Sequence, residues 1–340
     1  MGAGATIASA LSAPGKSERA SRERVAATPV PPSDRRVGMS YSLWHENARW
    51  QDAPGPHKPW GTPEIGYYRS DDPVVLKRHA EWLSGAGVDF IIADWSNDLG
   101  MDVRKGGGPH TQRFIESATG ALFDTWAGLP AAPKVSLMIG NPEAKEAATD
   151  GRLTAKADEV HDLFVANPSR RGLMQGYLGR PLLLVYVGTP SPSPNGLPPW
   201  RDARFTVRFV TGFVTQQKTL LGPGGVSRYG YWSWEDRRRP TYPIFDGYPE
   251  AMTVVAAWRG EGSTGRDGGR TYLRQWEYAR RIGPRFVLAG TFNEWWTSEQ
   301  DSPDRSKDIE PSQEFGRKYM DILKAQATLF KAGRVTADQG

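Results

Sequence analysis

The stretch "DDPVVLKRHAEWLSGAGVDFIIADW", residues 71–95, contains one complete helix-to-strand step. Asp71 or Asp72 caps the start, Pro73 sits in the first turn, and Leu76, Ala80 and Leu83 recur at helical spacing before Gly87 stops the run. "VDFIIADW" (88–95) follows, apolar at nearly every position, as a strand covered on both faces must be. How often this step recurs decides the fold.

Seven more apolar runs occur: "VGMSYSLW" (37–44), "KVSLMIG" (134–140), "PLLLVYVG" (181–188), "RFTVRFV" (204–210), "SRYGYWSW" (227–234), "MTVVAAW" (252–258) and "RFVLAGTF" (285–292). Helical stripes separate several of them. Phe114, Ala118, Leu122 and Trp126 precede the third run, Ala157, Val160 and Phe164 the fourth, and Tyr272, Trp276 and Ala279 the eighth. Phe315, Tyr319 and Leu323 make a closing helix, while the connections after runs four, five and six carry weaker helical signals. Eight strands alternating with helices predict an α/β chain folded as a (β/α)8 TIM barrel, a single catalytic domain. An open doubly wound sheet would normally have a Gly-rich first turn, and "SLWHENARW" contains no glycine.

The barrel is expected over residues 37–332, with a C-terminal tail at 333–340. Residues 1–36 read as a disordered leader and linker, polar and Pro-containing after an apolar start. "GAGATIASALSA" has the small-residue character of the end of a secretion signal, although no basic segment precedes it, and export is the expectation.

The chain's 340 residues leave room for one large barrel. With 38% hydrophobic and 24% charged residues the composition is globular, and no apolar run approaches the roughly 18 residues of a membrane span. The net charge of +5 comes from scattered residues, which argues against nucleic acid. The absence of cysteine excludes disulfides, thiol nucleophiles and thiolate metal sites. Five dispersed histidines without an H-E-x-x-H pattern give no reason to expect a metal, and no cofactor is expected. "GEGSTG" (260–265) has dinucleotide-like spacing but runs into "RDGGR" rather than a helix, and reads as a glycine loop. The acids of "DSPDRSKDIEP" (301–311) read as a solvated loop rather than a calcium site.

Active sites of such barrels lie at the C-terminal ends of the strands. Carboxylates, amides and aromatics collect there in this sequence. Glu294, in "GTFNEWW" (290–296), follows the eighth strand; Asp94 closes "FIIAD" and Glu235 lies in "YWSWED". These three are the candidate catalytic acids, and Trp295 and Trp296 are expected to raise the Glu294 carboxyl pKa by lowering the local dielectric. The candidate substrate-binding residues are Tyr41, Trp44, His45, Trp95, Asn97, Asn141, Tyr186, Trp232, Trp234, Arg237, Trp258, Asn293, Trp295, Trp296 and Glu299. Thirteen tryptophans suit sugar rings, whose axial C–H groups present an apolar face to an indole. Glycoside hydrolysis needs one acid to protonate the leaving oxygen and a second carboxylate to attack or to deprotonate the attacking group. The predicted activity is therefore cleavage of a polysaccharide, endo-acting, and acidic in substrate if the Arg237–Arg238–Arg239 loop contacts it. Two alternatives stay open. A polysaccharide lyase would use Arg237 or Arg238 with Tyr41, Tyr186, Tyr231 or His45 as base; a non-catalytic barrel would only bind carbohydrate.

Three stretches together resemble bacterial proteins related to glycoside hydrolase families 99 and 71. They are "TPEIGYYRSDDPVVLKRHAEWLSGAGVDFIIADWSN" (62–97), "TQRFIESATGALFDTWAGLPAAPKVSLMIGNPE" (111–143) and "FNEWWTSEQDSPDRSKDIEP" (292–311), occurring in order. The resemblance implies a (β/α)8 barrel acting within a polysaccharide chain. It also implies a motif of Asn-Glu-Trp with a second Glu three residues after the first. Asn293-Glu294-Trp295 matches the first part; Thr297 stands at the second, with Glu299 two residues later. The second carboxylate is then expected from Asp94 or Glu235, and a separation above about 12 Å from both would leave Glu294 without a workable partner.

Overall fold

The computed structural model describes residues 27–48, 59–96, 112–140, 148–188, 198–212, 214–216, 218–258, 262–295 and 302–335. Eight strands form the barrel wall: β1 (Arg36–Tyr41), β2 (Phe90–Trp95), β3 (Lys134–Ile139), β4 (Arg180–Tyr186), β5 (Thr206–Thr211), β6 (Trp232–Ser233), β7 (Ala251–Val254) and β8 (Phe286–Thr291). Each pairs in parallel with the next around the path β7-β8-β1-β2-β3-β4-β5-β6. The two ends of the path meet where the Thr253 hydroxyl of β7 donates to the Ser233 carbonyl of β6, so the ring is nearly closed. This is the (β/α)8 architecture that the alternating runs predict.

Among the described residues, five α-helices pack outside it: α1 (Pro73–Gly85), α2 (Gln112–Trp126), α3 (Arg152–Val160), α4 (Arg270–Ile282) and α5 (Lys318–Lys331). Asp72 caps α1, accepting from the Val74 N–H at 2.8 Å, and Leu76, Ala80 and Leu83 are its buried face. Among the described residues the connections after β4, β5 and β6 contain no α-helix, in line with their weak helical signals: three short 3-10 turns follow β5, and a short antiparallel hairpin (Ile244–Phe245 with Tyr248–Pro249) follows β6. No helix among the described residues is long and apolar enough to cross a membrane.

Two apolar layers share the strands by their period of two. Val37 and Met39 of β1, Ile91 and Ala93 of β2 and Leu183 and Val185 of β4 face the helices. Phe90, Ile92, Met138, Leu182, Leu184, Val210, Trp232, Phe286 and Leu288 fill the barrel interior. Gly38 faces inward against the Phe90 ring; a Cβ there would lie 2.5 Å from the ring, so only glycine lets that ring fill the lumen.

At the N-terminal end of the barrel, Glu250 ties the bottom together. It accepts from Tyr177 Oη and Trp232 Nε1, both at 2.8 Å, and from Arg208 Nε at 2.7 Å. The sixth strand is far shorter than the run 227–234 suggests. Tyr229 and Gly230 take positive φ values (61° and 81°), which breaks extended backbone before Trp232.

The chain joins the barrel earlier than the expected boundary at residue 37. Val30 is buried, its N–H donates to the Gly283 carbonyl at 2.8 Å, and Pro32–Asp34 form a 3-10 turn. Arg35 is buried too and donates to the carbonyls of Val30 (3.0 Å) and Phe330 (2.9 Å), clasping the chain start to α5.

Candidate active site

Phe90 and Ile92 point into the barrel, and the same alternation carries Asp94 to its C-terminal mouth. Tyr186 follows Leu182 and Leu184 on β4, and Trp234 follows Trp232 on β6; both are partly exposed and pack on the interior cluster. These three side chains line the open end of the lumen.

Lys307 organises the charges beside them. Its Nζ lies 2.8 Å from Glu235 Oε2 and 3.3 Å from Glu294 Oε2. The nearest oxygens of the two glutamates are therefore no more than about 6 Å apart, far below the roughly 12 Å that would leave Glu294 without a workable partner. Access differs sharply. The side chains of Lys307 and Glu235 are 4% and 2% exposed, Glu294 is 12% exposed, and Asp94 is half-buried. Asp94 belongs to the same electrostatic unit. Burial raises its carboxyl pKa above the usual range, the Glu294 charge adds to the rise, and the Ser96 N–H (2.8 Å) and Lys307 oppose it.

The loop after β8 returns through residues 302–311 to support Glu294 from beneath. Asp308 is buried and accepts from the backbone N–H groups of Glu294 (3.0 Å) and Trp295 (2.7 Å), from Trp60 Nε1 (2.7 Å) and from the Thr291 hydroxyl. Burial and the Glu294 charge nevertheless push its pKa up to about 6. Arg266 locks the same loop by donating to the carbonyls of Pro303 and Asp308, with its guanidinium over the rings of Trp60, Phe315 and Tyr319. Glu310 accepts from Tyr68 Oη at 2.8 Å, from Trp295 Nε1 and from His79 Nε2 at 3.1 Å. The acids at 308 and 310 are thus interior anchors, not the solvated loop that their sequence suggests.

Several expected substrate contacts are placed in the core instead. Trp295 takes the left-handed conformation (φ 63°), stacks on Trp60 at 4.5 Å and is fully buried, so it does not shield the Glu294 carboxyl; Lys307 holds that carboxyl. Asn293 exchanges two hydrogen bonds with the Ser42 backbone (2.8 and 3.0 Å) and donates to Tyr68 Oη, clamping β1 to β8. Trp95, next to inward Asp94, must face outward, and its indole donates to Thr119 of α2 at 2.8 Å. Tyr41 also faces the helices and donates to His79 Nδ1 at 2.6 Å, while Trp232 plugs the barrel bottom. His45 is buried with its Nε2 donating to the Asn293 carbonyl at 3.0 Å, and Trp44 packs in the outer core. Arg237 is half-buried, its carbonyl accepting from Gln275 at 3.1 Å, and Trp258, beyond β7, is largely buried with an edge on a rim cavity. Asn97, Asn141, Trp296 and Glu299 lie outside the described residues.

Sequence reasoning missed Lys307, Asp308 and Arg266. Nothing in "SKDIEP" signals the first two: the stretch is polar apart from Ile309 and Pro311, yet Ser306, Lys307, Asp308, Ile309 and Glu310 are all buried.

No protein-family model matches the chain, and no curated protein matches it in sequence. Solved structures do match it in fold. The GH99 endo-alpha-mannosidase from Bacteroides thetaiotaomicron superposes with a TM-score of 0.53 at 14% identity, covering 88% of this chain and 98% of the other. The same enzyme in complex with bis-tris-propane gives 0.56 at 16% identity with the same coverage. A glycoside hydrolase-like protein gives 0.53 at 14% identity, covering 88% of this chain and 96% of its own. At these identities the likeness is one of fold, and it agrees with the resemblance carried by the three sequence stretches.

Proposed function

We propose that the chain is a glycoside hydrolase cleaving within a polysaccharide, outside the cell, at the C-terminal mouth of the barrel. The observation that carries this reading is the joining of Glu294 and Glu235 through Lys307 beside Asp94, with Tyr186 and Trp234 on the lumen side. Asp94 and Glu294 keep access to solvent, so they are the working pair. Burial favours the neutral form of Asp94, which suits it to protonate the leaving oxygen. As the bond from that oxygen to the anomeric carbon breaks, water attacks the carbon and gives its proton to Glu294. Glu235 and Lys307 fix the position and charge of Glu294. Tyr186 and Trp234 supply flat surfaces for sugar rings, and the exposed Arg238 gives the rim a positive edge that suits an acidic polysaccharide.

The lyase alternative fares worse on physical grounds. Of its four candidate bases, Tyr41, Tyr231 and His45 are buried away from any substrate, and burial pushes the Tyr231 hydroxyl up to about 12, which disfavours the anion that a base needs; Tyr186 alone reaches the mouth, beside acids that already serve hydrolysis.

The test is incubation with neutral and acidic polysaccharides, followed by mass spectrometry of the products. Shortened chains carrying one added water per cut are expected, with Glu294→Gln reducing kcat by several orders of magnitude. Unsaturated products absorbing near 235 nm, or cleavage by Glu294→Gln at the wild-type rate, would overturn the assignment.

A further inference from the structure

A second cavity lies on the rim, between the loops that follow β6 and β7. It encloses about 380 Å³, within the range of small-molecule sites. Arg238, Trp258 and Gly262 line it from these loops, and Asp267, Thr271, Arg274 and Gln275 line it from the start of α4 and the turn before it. Thr271, Arg274 and Gln275 stand at positions i, i+3 and i+4, so one face of the first two turns of α4 forms the wall.

The charge of this cavity is positive. Its one carboxylate, Asp267, is already held by Arg270 and by Arg274 (3.1 Å), and the Arg270 guanidinium keeps its pKa below the usual carboxylate range. Arg274 uses one edge of its fork on Asp267, and Arg238 is exposed. Gly269 caps α4 without a side-chain hydrogen bond, so the positive end of the helix dipole adds to the two guanidinium groups. Trp258 supplies an apolar wall, with Gly262 against its ring edge: a Cβ at residue 262 would sit 3.7 Å from the indole. Guanidinium groups sharing a cavity with an indole suit a ring that carries an anionic group.

The loops that form the cavity also build the candidate active site. Arg238 follows Glu235 by three residues, and Gln275 fixes the β6 loop by donating to the Arg237 carbonyl. Arg266, on the turn before α4, locks the loop that carries Lys307. We infer that this cavity is a binding subsite for an anionic sugar, a residue bearing a carboxylate or sulfate group, bound beside the cleavage site. The sugar half of this assignment rests on the hydrolase reading; the anionic half rests on the cavity.

Ligand-observed NMR titration of the full chain with sodium glucuronate, glucose and sodium sulfate tests it without requiring cleavage. Glucuronate is expected to bind at least tenfold more tightly than glucose, and the Arg238→Gln/Arg274→Gln double variant to lose at least tenfold in glucuronate affinity. If glucuronate binds with this dependence on Arg238 and Arg274 while no polysaccharide is cleaved by wild type, the subsite stands and the hydrolase reading falls. The inference is overturned if glucuronate does not bind, if glucose binds equally well, or if the double variant binds like wild type. Sulfate alone matching glucuronate would overturn the sugar half.

Discussion

Lys307 sets its ammonium 2.8 Å from a Glu235 carboxylate oxygen, where both side chains are almost wholly closed off from water. Burying such a pair costs several kcal/mol per ion in lost hydration, which the mutual attraction only roughly repays. Stability alone is therefore a weak reason for it, and the second contact, to Glu294 at 3.3 Å, supplies a functional one. Lys307→Met leaves two carboxylates facing each other without the cation. We expect it to cost about 3–5 kcal/mol in stability and to lower kcat at least about 100-fold, read by denaturant melts and by polysaccharide cleavage. The Lys307→Met/Glu235→Gln double variant should recover part of the stability but little of the activity. Full activity in either variant would show that Lys307 does not position Glu294.

Asp94 governs the alkaline side of the pH profile. Burial first, then the Glu294 charge, raise its pKa. The protonated form is the active one, so kcat/KM falls as pH rises through that pKa. Asp94→Asn removes the acid and with it this limb, and should slow cleavage of polysaccharide by about 10²–10⁴-fold. An aryl glycoside with a good leaving group needs little protonation and should be affected much less. An unchanged alkaline limb in Asp94→Asn would move the acid role elsewhere.

The barrel was legible because eight apolar runs and their helical stripes repeat one physical requirement, a strand covered on both faces. The inward direction of Asp94 was legible too: Phe90 and Ile92 set the alternation, which by itself turns Trp95 away from the mouth. Trp295 was not. A tryptophan at φ 63° costs roughly 1–2 kcal/mol in backbone strain, and the Trp60 stack and the Glu310 hydrogen bond that offset it come from residues far away in sequence. The burial of Asp308 and Glu310 was hidden for the same reason. Four of their side-chain donors, Trp60, Tyr68, His79 and Thr291, lie outside the polar stretch that holds the acids.

Asp308 makes stability depend on pH with a predictable sign. Its folded pKa of about 6 lies above the ordinary value of 3.8, so the folded chain holds a proton that the unfolded chain releases. The associated stability is fully present below the unfolded value and is lost as pH rises to about 6. Asp308→Asn removes this titration. It also turns one acceptor into an amide facing donors, at a cost of roughly 1–3 kcal/mol. The Tm difference between wild type and variant should shrink from pH 4 to pH 6 and stay level above that. A difference constant across this window would mean that Asp308 is ionised throughout it.

The contact between Val30, Arg35 and the C-terminal helix predicts where the domain can be cut. A chain starting at residue 27 keeps the Val30 N–H on Gly283 and both hydrogen bonds of Arg35. A chain starting at residue 37 loses them, exposes the ring of Phe330 under Arg35 and strips the residue that opens β1. Losing a buried Val and the two of these hydrogen bonds that reach the rest of the barrel, to Gly283 and Phe330, is worth about 3–5 kcal/mol, and the Tm of the shorter chain should fall by several degrees relative to the longer one. Arg35→Ala in the longer chain should account for part of that loss. Equal melting of the two truncations would show that residues 27–36 rest on the barrel without stabilising it.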